Sequence, residues 1–257
     1  IPRLRGRPDV KINTVLATNF LRFNVTHKPL DDVRIRRALD LALDREALCR
    51  HIYRGGEEPA RSLVPPSLPG YAPSEAAPGG LERARQLLAE AGYPGGGGFP
   101  ELELLHAAQE LSRAVAEAIA ATLKERLGIR IRPAPQEFKV YIDSMSGLRY
   151  QIALGMWIGD YVDPSTFLDL FRSDSGGNRT GWKSPEYDRL LARASRAASA
   201  EVRMGVLREA EQLLLELGPI APLCYRSQVN LLSQRVEGFS VNLLDLHPLD
   251  RLRLRER

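Results

Sequence analysis

Apolar residues recur along this chain at two spacings, and their alternation outlines an α/β protein. Ile152 to Met156 is mostly apolar and reads as a short buried strand. Gly159 then allows a tight turn, and Asp160 and Asp163 stand just past the strand end. Pro164 can open a helix as its first residue with Asp163 as the cap, which puts Phe167, Leu168 and Phe171 on one helical face. Upstream, Val15 to Val25 alternates loosely through Leu16, Phe20, Leu21 and Phe23, as one long strand or two short ones. Asp31 and Asp32 lead into a helix carrying Val33, Ala38, Leu39, Leu41, Ala42 and Leu43. Asp44 caps a second helix, Arg45 to Tyr53, that stops at Gly55-Gly56.

From Glu57 to Gly80 six prolines, at 59, 65, 66, 69, 73 and 78, preclude regular structure over most of the segment. A loop of that length in a compact domain is functional or tightly packed. Leu81, Ala84, Leu87, Leu88 and Ala91 recur at helical spacing, ended by Gly92 and Pro94. Gly95 to Gly98 follows a helix and precedes a strand, which is the wrong context for phosphate binding and reads as a flexible linker. Leu102 to Leu105, the helical stripe Leu111 to Leu123 ending at Gly128, and Ile129 to Ile131 form a β-α-β unit with parallel strands. A short helix over Val140 to Met145, amphipathic helices over Pro185 to Ala198 and Glu201 to Leu217, and a hairpin or strand pair at Ile220 to Tyr225 and Val229 to Leu232 complete the pattern. There is no internal repeat. The fold expected is an α/β lobe with a mixed sheet flanked by helices.

Composition changes this picture little. With 257 residues, 44% hydrophobic and 26% charged, the chain is ordinary for a soluble globular protein of one large domain or two small ones. The net charge of +4 comes with arginines on helix patterns and without interleaved aromatics, so no nucleic-acid partner is expected. The Arg-rich ends, Pro2 to Pro8 and Arg251 to Arg257, read as tails. Cys49 and Cys224 lie in unrelated segments and are expected to be buried free thiols. No apolar run approaches the ~18 residues of a membrane span. The chain opens on Ile1-Pro2 rather than Met, which suggests a piece cut from something longer.

Candidate chemistry is sparse. Ligands in open α/β sheets bind outside the carboxyl ends of the strands. Asp160 stands there beside Trp157, so its carboxylate could pair with an ammonium group while the indole covers the adjacent carbons. The alternative is that Asp160 and Asp163 are turn and cap residues and Trp157 is core. His106 falls just past the strand Leu102 to Leu105, on the same presumed rim, and is a second ligand-facing candidate. None of the four histidines has metal-ligand spacing, and no nucleotide-binding or nucleophile-elbow motif sits in a matching context. The expectation is a binding protein, not an enzyme, with no cofactor and no metal.

Several blocks together resemble a known family. Pro29-Leu30-Asp31-Asp32-Val33-Arg34-Ile35-Arg36-Arg37-Ala38-Leu39 with Asp44-Arg45 is similar to the peptide-binding proteins of ABC importers, the oligopeptide and dipeptide solute-binding group. So are Leu63-Val64-Pro65-Pro66, Leu87 to Tyr93, Trp157 with Asp160 and Pro164, and Gly181-Trp182 with Ser184 to Asp188, all in the family's order. The resemblance implies a periplasmic-binding-protein-like lobe, the C-terminal half of a two-lobe protein that closes over an extended peptide. Residues 1–25 would be a leading hinge strand and remnant of the first lobe, 26–235 the ligand-binding lobe, and 236–257 a segment returning to the first lobe. It implies that Asp160 pairs with the peptide's α-ammonium, that Trp157 and Phe138 line side-chain pockets, and that Tyr161 joins the ligand-contacting set. Leu154 and Gly155 stand where some relatives carry an Arg that meets a peptide carboxylate, so affinity would lean on backbone hydrogen bonds, as in strand addition. The implied partners are a short peptide and a membrane permease. The implied setting is periplasmic or lipid-anchored at the cell surface, as a monomer. A sensor built on the same lobe, or a relative that binds nickel chelates, haem or sugars, are the alternatives.

Overall fold

The computed structural model describes residues 6–75 and 79–255. Pro2 of the first tail, Pro78 of the long loop and Arg257 of the second tail lie outside the described residues. A six-stranded sheet organises the chain, in the order β2-β6-β1-β5-β3-β4. Its strands are β1 (Val10–Phe23), β2 (Glu58–Pro59), β3 (Leu102–Ala107), β4 (Ile131–Gln136), β5 (Ile152–Ile158) and β6 (Ile220–Leu231). β3 runs parallel to β4 and to β5, whereas β1 is antiparallel to β5 and β6. The sheet is therefore mixed, as expected.

Side chains of a strand alternate between faces, and β1 supplies both. Leu21 and Phe23 enter one core with Leu104 and Ile152, covered by α1 (Val33–Ala42), α3 (Gly80–Glu90) and α4 (Glu110–Leu127). Leu16 and Phe20 enter a second core with Phe167, Phe171, Tyr187 and Leu214. That face is covered by the short α6 (Ser165–Leu168), α7 (Pro185–Ser195) and α8 (Ala200–Leu217). A smaller cluster of Leu105, Tyr141, Met145, Tyr150 and Ala153 sits under α5 (Phe138–Ser146).

The expected caps form. Asp32 accepts from the Arg34 amide at 2.8 Å, and Asp44 from the Ala47 amide at 2.9 Å, opening α2 (Arg45–Ala47). α2 continues as a wider turn over Leu48–Tyr53, and Arg54 rather than the following glycines takes the left-handed end position. The run Gly95 to Gly98 is not a flexible linker but a packed turn. A Cβ on Gly96 would lie 2.5 Å from the Leu127 carbonyl oxygen, so only glycine lets this turn rest on the end of α4. The strand pair expected at Ile220 to Leu232 is one continuous strand, because its outer half pairs with Val10–Thr14 of β1. The second tail is also partly ordered: β7 (Val236–Glu237) pairs with β8 (Arg253–Leu254).

Buried polar side chains tie the layers together. The Arg36 guanidinium donates to the carbonyls of Gly218 at 3.0 Å and Leu30 at 2.7 Å, and also to Leu217, closing the open end of α8. Arg45 donates to Ala60 and Pro222 carbonyls and pairs with Asp40. The long loop is packed rather than free. Glu211 on α8 accepts from the amides of Leu63, Val64 and Ser74 and from the Tyr71 hydroxyl, at 2.8–3.1 Å. Burial pushes the Glu211 carboxyl up to about 7, against the pull of these four donors.

Cys49 and Cys224, distant in sequence, are brought together when β6 packs on the turn after α2. Both are buried free thiols. The neighbouring Cys224 thiol, and then burial, push the Cys49 thiol up, so little thiolate exists at neutral pH. Both cysteines should therefore resist a thiol reagent in the folded protein and react fully in denaturant. Rapid labelling of either under native conditions would contradict this packing.

Glu211 sets a pH dependence whose sign is fixed. Its folded value lies above that of the unfolded chain, so the native state holds a proton that the unfolded state releases between about 4.5 and 7. Stability should fall as pH rises through that window, by an amount on the order of 3 kcal/mol, and level off above it. Urea unfolding of Glu211→Gln should lose this component of the slope. Identical slopes in both proteins would show that another group is responsible.

Candidate functional site

β3, β4 and β5 are parallel, so their carboxyl ends share one rim of the sheet. β5 projects furthest, and the chain turns at its end for a steric reason. The Gly159 amide donates to the Leu16 carbonyl at 2.7 Å, and a Cβ on Gly159 would lie 2.6 Å from Leu16 Cδ2. Trp157 belongs to the strand rather than following it. Its ring is half-buried against the second core, and its Nε1 donates to the Thr166 carbonyl at 2.6 Å.

The two carboxylates separate into different roles. Asp163 accepts from the Ser165 amide at 2.9 Å and takes a two-pronged ion pair from Arg203 on α8, at 2.6 and 2.8 Å. Burial alone would push its carboxyl up, but Arg203 and Ser165 outweigh that and hold it below the usual range. The capping position falls on Pro164, one residue later than expected, and Asp163 instead holds the turn that enters α6. Asp160 is exposed. Its amide donates to Thr166 Oγ1 at 2.9 Å, which fixes the backbone. Among the described residues no hydrogen bond or ion pair reaches its carboxylate.

Exposed apolar residues neighbour Asp160 in the chain or stand elsewhere on the same rim. Tyr161 is 47% exposed, its hydroxyl 3.2 Å from Ser165 Oγ. Phe138, the first residue of α5, is 58% exposed beyond the end of β4. Met156, Ile158 and Val162 are exposed as well. Large apolar side chains clustered on one rim mark a surface that something covers. In open water an ammonium 4 Å from Asp160 gains only about 1 kcal/mol, against about 4 where water is partly excluded. A charge contact at this rim is therefore weak until the surface is covered.

His106 does not fit the rim. β3 runs on to Ala107, so His106 lies inside the strand and has no exposed surface. Its Nδ1 is 2.8 Å from the Ala107 carbonyl, and its Nε2 is buried without a partner among the described residues. Trp157, Asp160 and Tyr161 are contiguous at the end of β5 and Phe138 shares their rim, while His106 is enclosed beneath it. Sequence reasoning passed over Arg22, the buried next-to-last residue of β1. The available signal was a lone charge inside the run Phe20-Leu21-Arg22-Phe23. Among the described residues no group of three or more His, Cys, Asp or Glu is arranged to hold a metal ion. No helix among them is long and apolar enough to cross a membrane.

Comparison with known proteins places this arrangement. The chain is 30% identical to the dipeptide-binding protein DppE of Bacillus subtilis strain 168, over 97% of its own length and 48% of that protein's. It is 33% identical to the periplasmic murein peptide-binding protein MppA of Escherichia coli K12, over 88% of the chain and 43% of the relative. The solved Haemophilus influenzae OppA complex with RPPGFSPFR superposes with a TM-score of 0.88 at 28% identity, covering the whole of this chain and 52% of that one. The chain thus spans about half the length of the relatives it matches, and these relatives are binding proteins. Residues 1–179 match the profile of the bacterial extracellular solute-binding proteins, family 5 Middle, and the chain belongs to that family.

Proposed function

We propose that this chain is the C-terminal lobe of a binding protein that captures short peptides outside the cytoplasm and delivers them to an ABC permease in the membrane. The carrying observation is Asp160, an exposed and unpaired carboxylate next to the half-buried Trp157 on the rim of the parallel strands. A peptide's α-ammonium meets that carboxylate, the indole covers the adjacent carbons, and Phe138 and Tyr161 border the side-chain pockets. The names of the relatives, dipeptide-, oligopeptide- and murein peptide-binding proteins, support peptide as the solute. The rim's exposed apolar residues support a second lobe closing over it. In this reading residues 1–25 lead in from that lobe, 26–235 form the present one, and 236–257 return. The protein works as a monomer, periplasmic or anchored at the cell surface, and binds rather than catalyses.

Asp160→Asn keeps the shape of the side chain and removes its charge. In the full-length protein it should weaken peptide binding by roughly 2–5 kcal/mol, the usual cost of removing one partner of an enclosed charge pair. N-acetylated peptides should lose affinity for the wild type and much less for the variant. Calorimetry on both proteins with free and acetylated peptide measures this. Equal affinity of wild type and variant for the free peptide would reduce Asp160 to a turn residue.

A further inference from the structure

Buried charges in proteins are paired or hydrogen-bonded, because removing them from water costs several kcal/mol otherwise. Arg22 breaks that rule. It is 4% exposed, and its Nε and Nη1 are buried with no acceptor among the described residues. Its guanidinium stacks on the Phe20 ring, 4.8 Å from the centroid, with Phe171 at 5.9 Å. Stacking satisfies the face of the guanidinium and leaves its in-plane donors open. The neighbouring hydroxyls do not neutralise it: Tyr141 donates to the Leu154 carbonyl and Tyr150 to the Arg179 carbonyl. A second cation lies near enough to act on it. Arg179 acts on Arg22 as a like charge, and its own Nε is also buried without an acceptor. Among the described residues no acid acts on Arg22, and burial draws its guanidinium down to about 10.

The position of this pair relates it to the rim. Arg22 opposes Ala153 across the β1–β5 pairing, and its Nε is 3.2 Å from where a Cβ on Gly155 would stand. The missing side chain of Gly155 is thus what admits the guanidinium. Trp157 lies two residues further along the same face of β5, about 7 Å away. The loop carrying Arg179 is held by Asn178, whose amide donates to the Phe171, Arg172 and Trp182 carbonyls at 3.2, 3.1 and 2.8 Å.

We infer that Arg22 and Arg179 form a carboxylate-binding pocket inside the lobe, entered from the Trp157 end of β5, in which an anionic group of the bound solute supplies the absent counter-charge. A planar guanidinium matches a carboxylate with two parallel hydrogen bonds. β1 thereby contributes the cation that positions Leu154 and Gly155 of β5 do not. The carboxylate comes either from an acidic side chain of the peptide or from its C-terminus. This assignment rests on the peptide reading above for the source of the carboxylate, though not for the anion site itself.

The test uses the full-length protein as wild type, Arg22→Met and Arg179→Met. First, sodium acetate is titrated against sodium chloride at equal ionic strength while Tm is followed. Acetate should raise the Tm of the wild type above the chloride control, less so in Arg179→Met and not at all in Arg22→Met. Second, calorimetry compares Ala-Glu-Ala, Ala-Gln-Ala and the C-terminal amide of Ala-Gln-Ala. Loss of the carboxylate that enters the pocket should cost the wild type at least about tenfold in affinity, and Arg22→Met should erase that difference. A drop from Glu to Gln identifies a side chain, and a drop on amidation identifies the C-terminus. If peptides bind but neither change alters affinity, and acetate acts no differently from chloride, the pocket is refuted and the peptide reading stands. If no peptide binds yet acetate stabilises the wild type through Arg22, the anion site stands and the peptide reading fails. No response in either experiment overturns the pocket. Should Arg22→Met fail to fold, the wild-type and Arg179→Met titrations decide the same question.

Discussion

The antiparallel pairing of β1 with β5 is the constraint on which the rest of this structure depends. Seven residues of β1, Ala17 to Phe23, lie opposite Ile158 to Ile152. That register decides which side chains share a face, because a slip of one residue would reverse every one of them. It sets Phe20 opposite Gly155 and Arg22 opposite Ala153. It also brings the Leu16 carbonyl to the Gly159 amide, which ends the strand and turns Asp160 outward. The charged groups at the rim and beneath it are consequences of one ladder of backbone hydrogen bonds.

Around that ladder the helical layers are joined by a few enclosed polar side chains. Arg36, Arg45 and Glu211 each satisfy several backbone groups that would otherwise be buried without partners. Each links segments far apart in the chain: α1 to the end of α8, α2 to β6, and α8 to the long loop. This gives a physical meaning to the sequence blocks that carry the family resemblance. The arginines in the run Val33 to Leu39 are not all surface charge, since Arg36 is a buried clamp while Arg34 is an exposed partner of Asp32. Leu63-Val64-Pro65-Pro66 is the place where Glu211 grips the loop.

Two carboxylates three residues apart show how context divides similar side chains. Arg203 claims Asp163, and nothing among the described residues claims Asp160. The same contrast separates arginines, most of them exposed or paired, from Arg22, which is neither. Asp160 keeps its hydration, whereas the buried charge of Arg22 is tolerated at some cost to the stability of the lobe.

The sequence by itself determined the class of fold, the β-α-β unit, most helix caps, the organising strand and its rim carboxylate, because these follow from periodicity and local hydrogen bonding within a few residues. It also identified the family, since several separate blocks matched in order. It did not determine that Ile220 to Leu231 is one strand, that Gly95 to Gly98 is packed, or that Cys49 meets Cys224. Each of those depends on a partner distant in the chain: the outer half of β1, the end of α4, and the approach of β6 to the turn after α2. The tertiary structure alone enclosed His106, assigned Asp163 to Arg203, and left Arg22 without a counter-ion among the described residues. The reason is that burial and pairing are properties of neighbours in space, and a residue's own type and spacing do not name them.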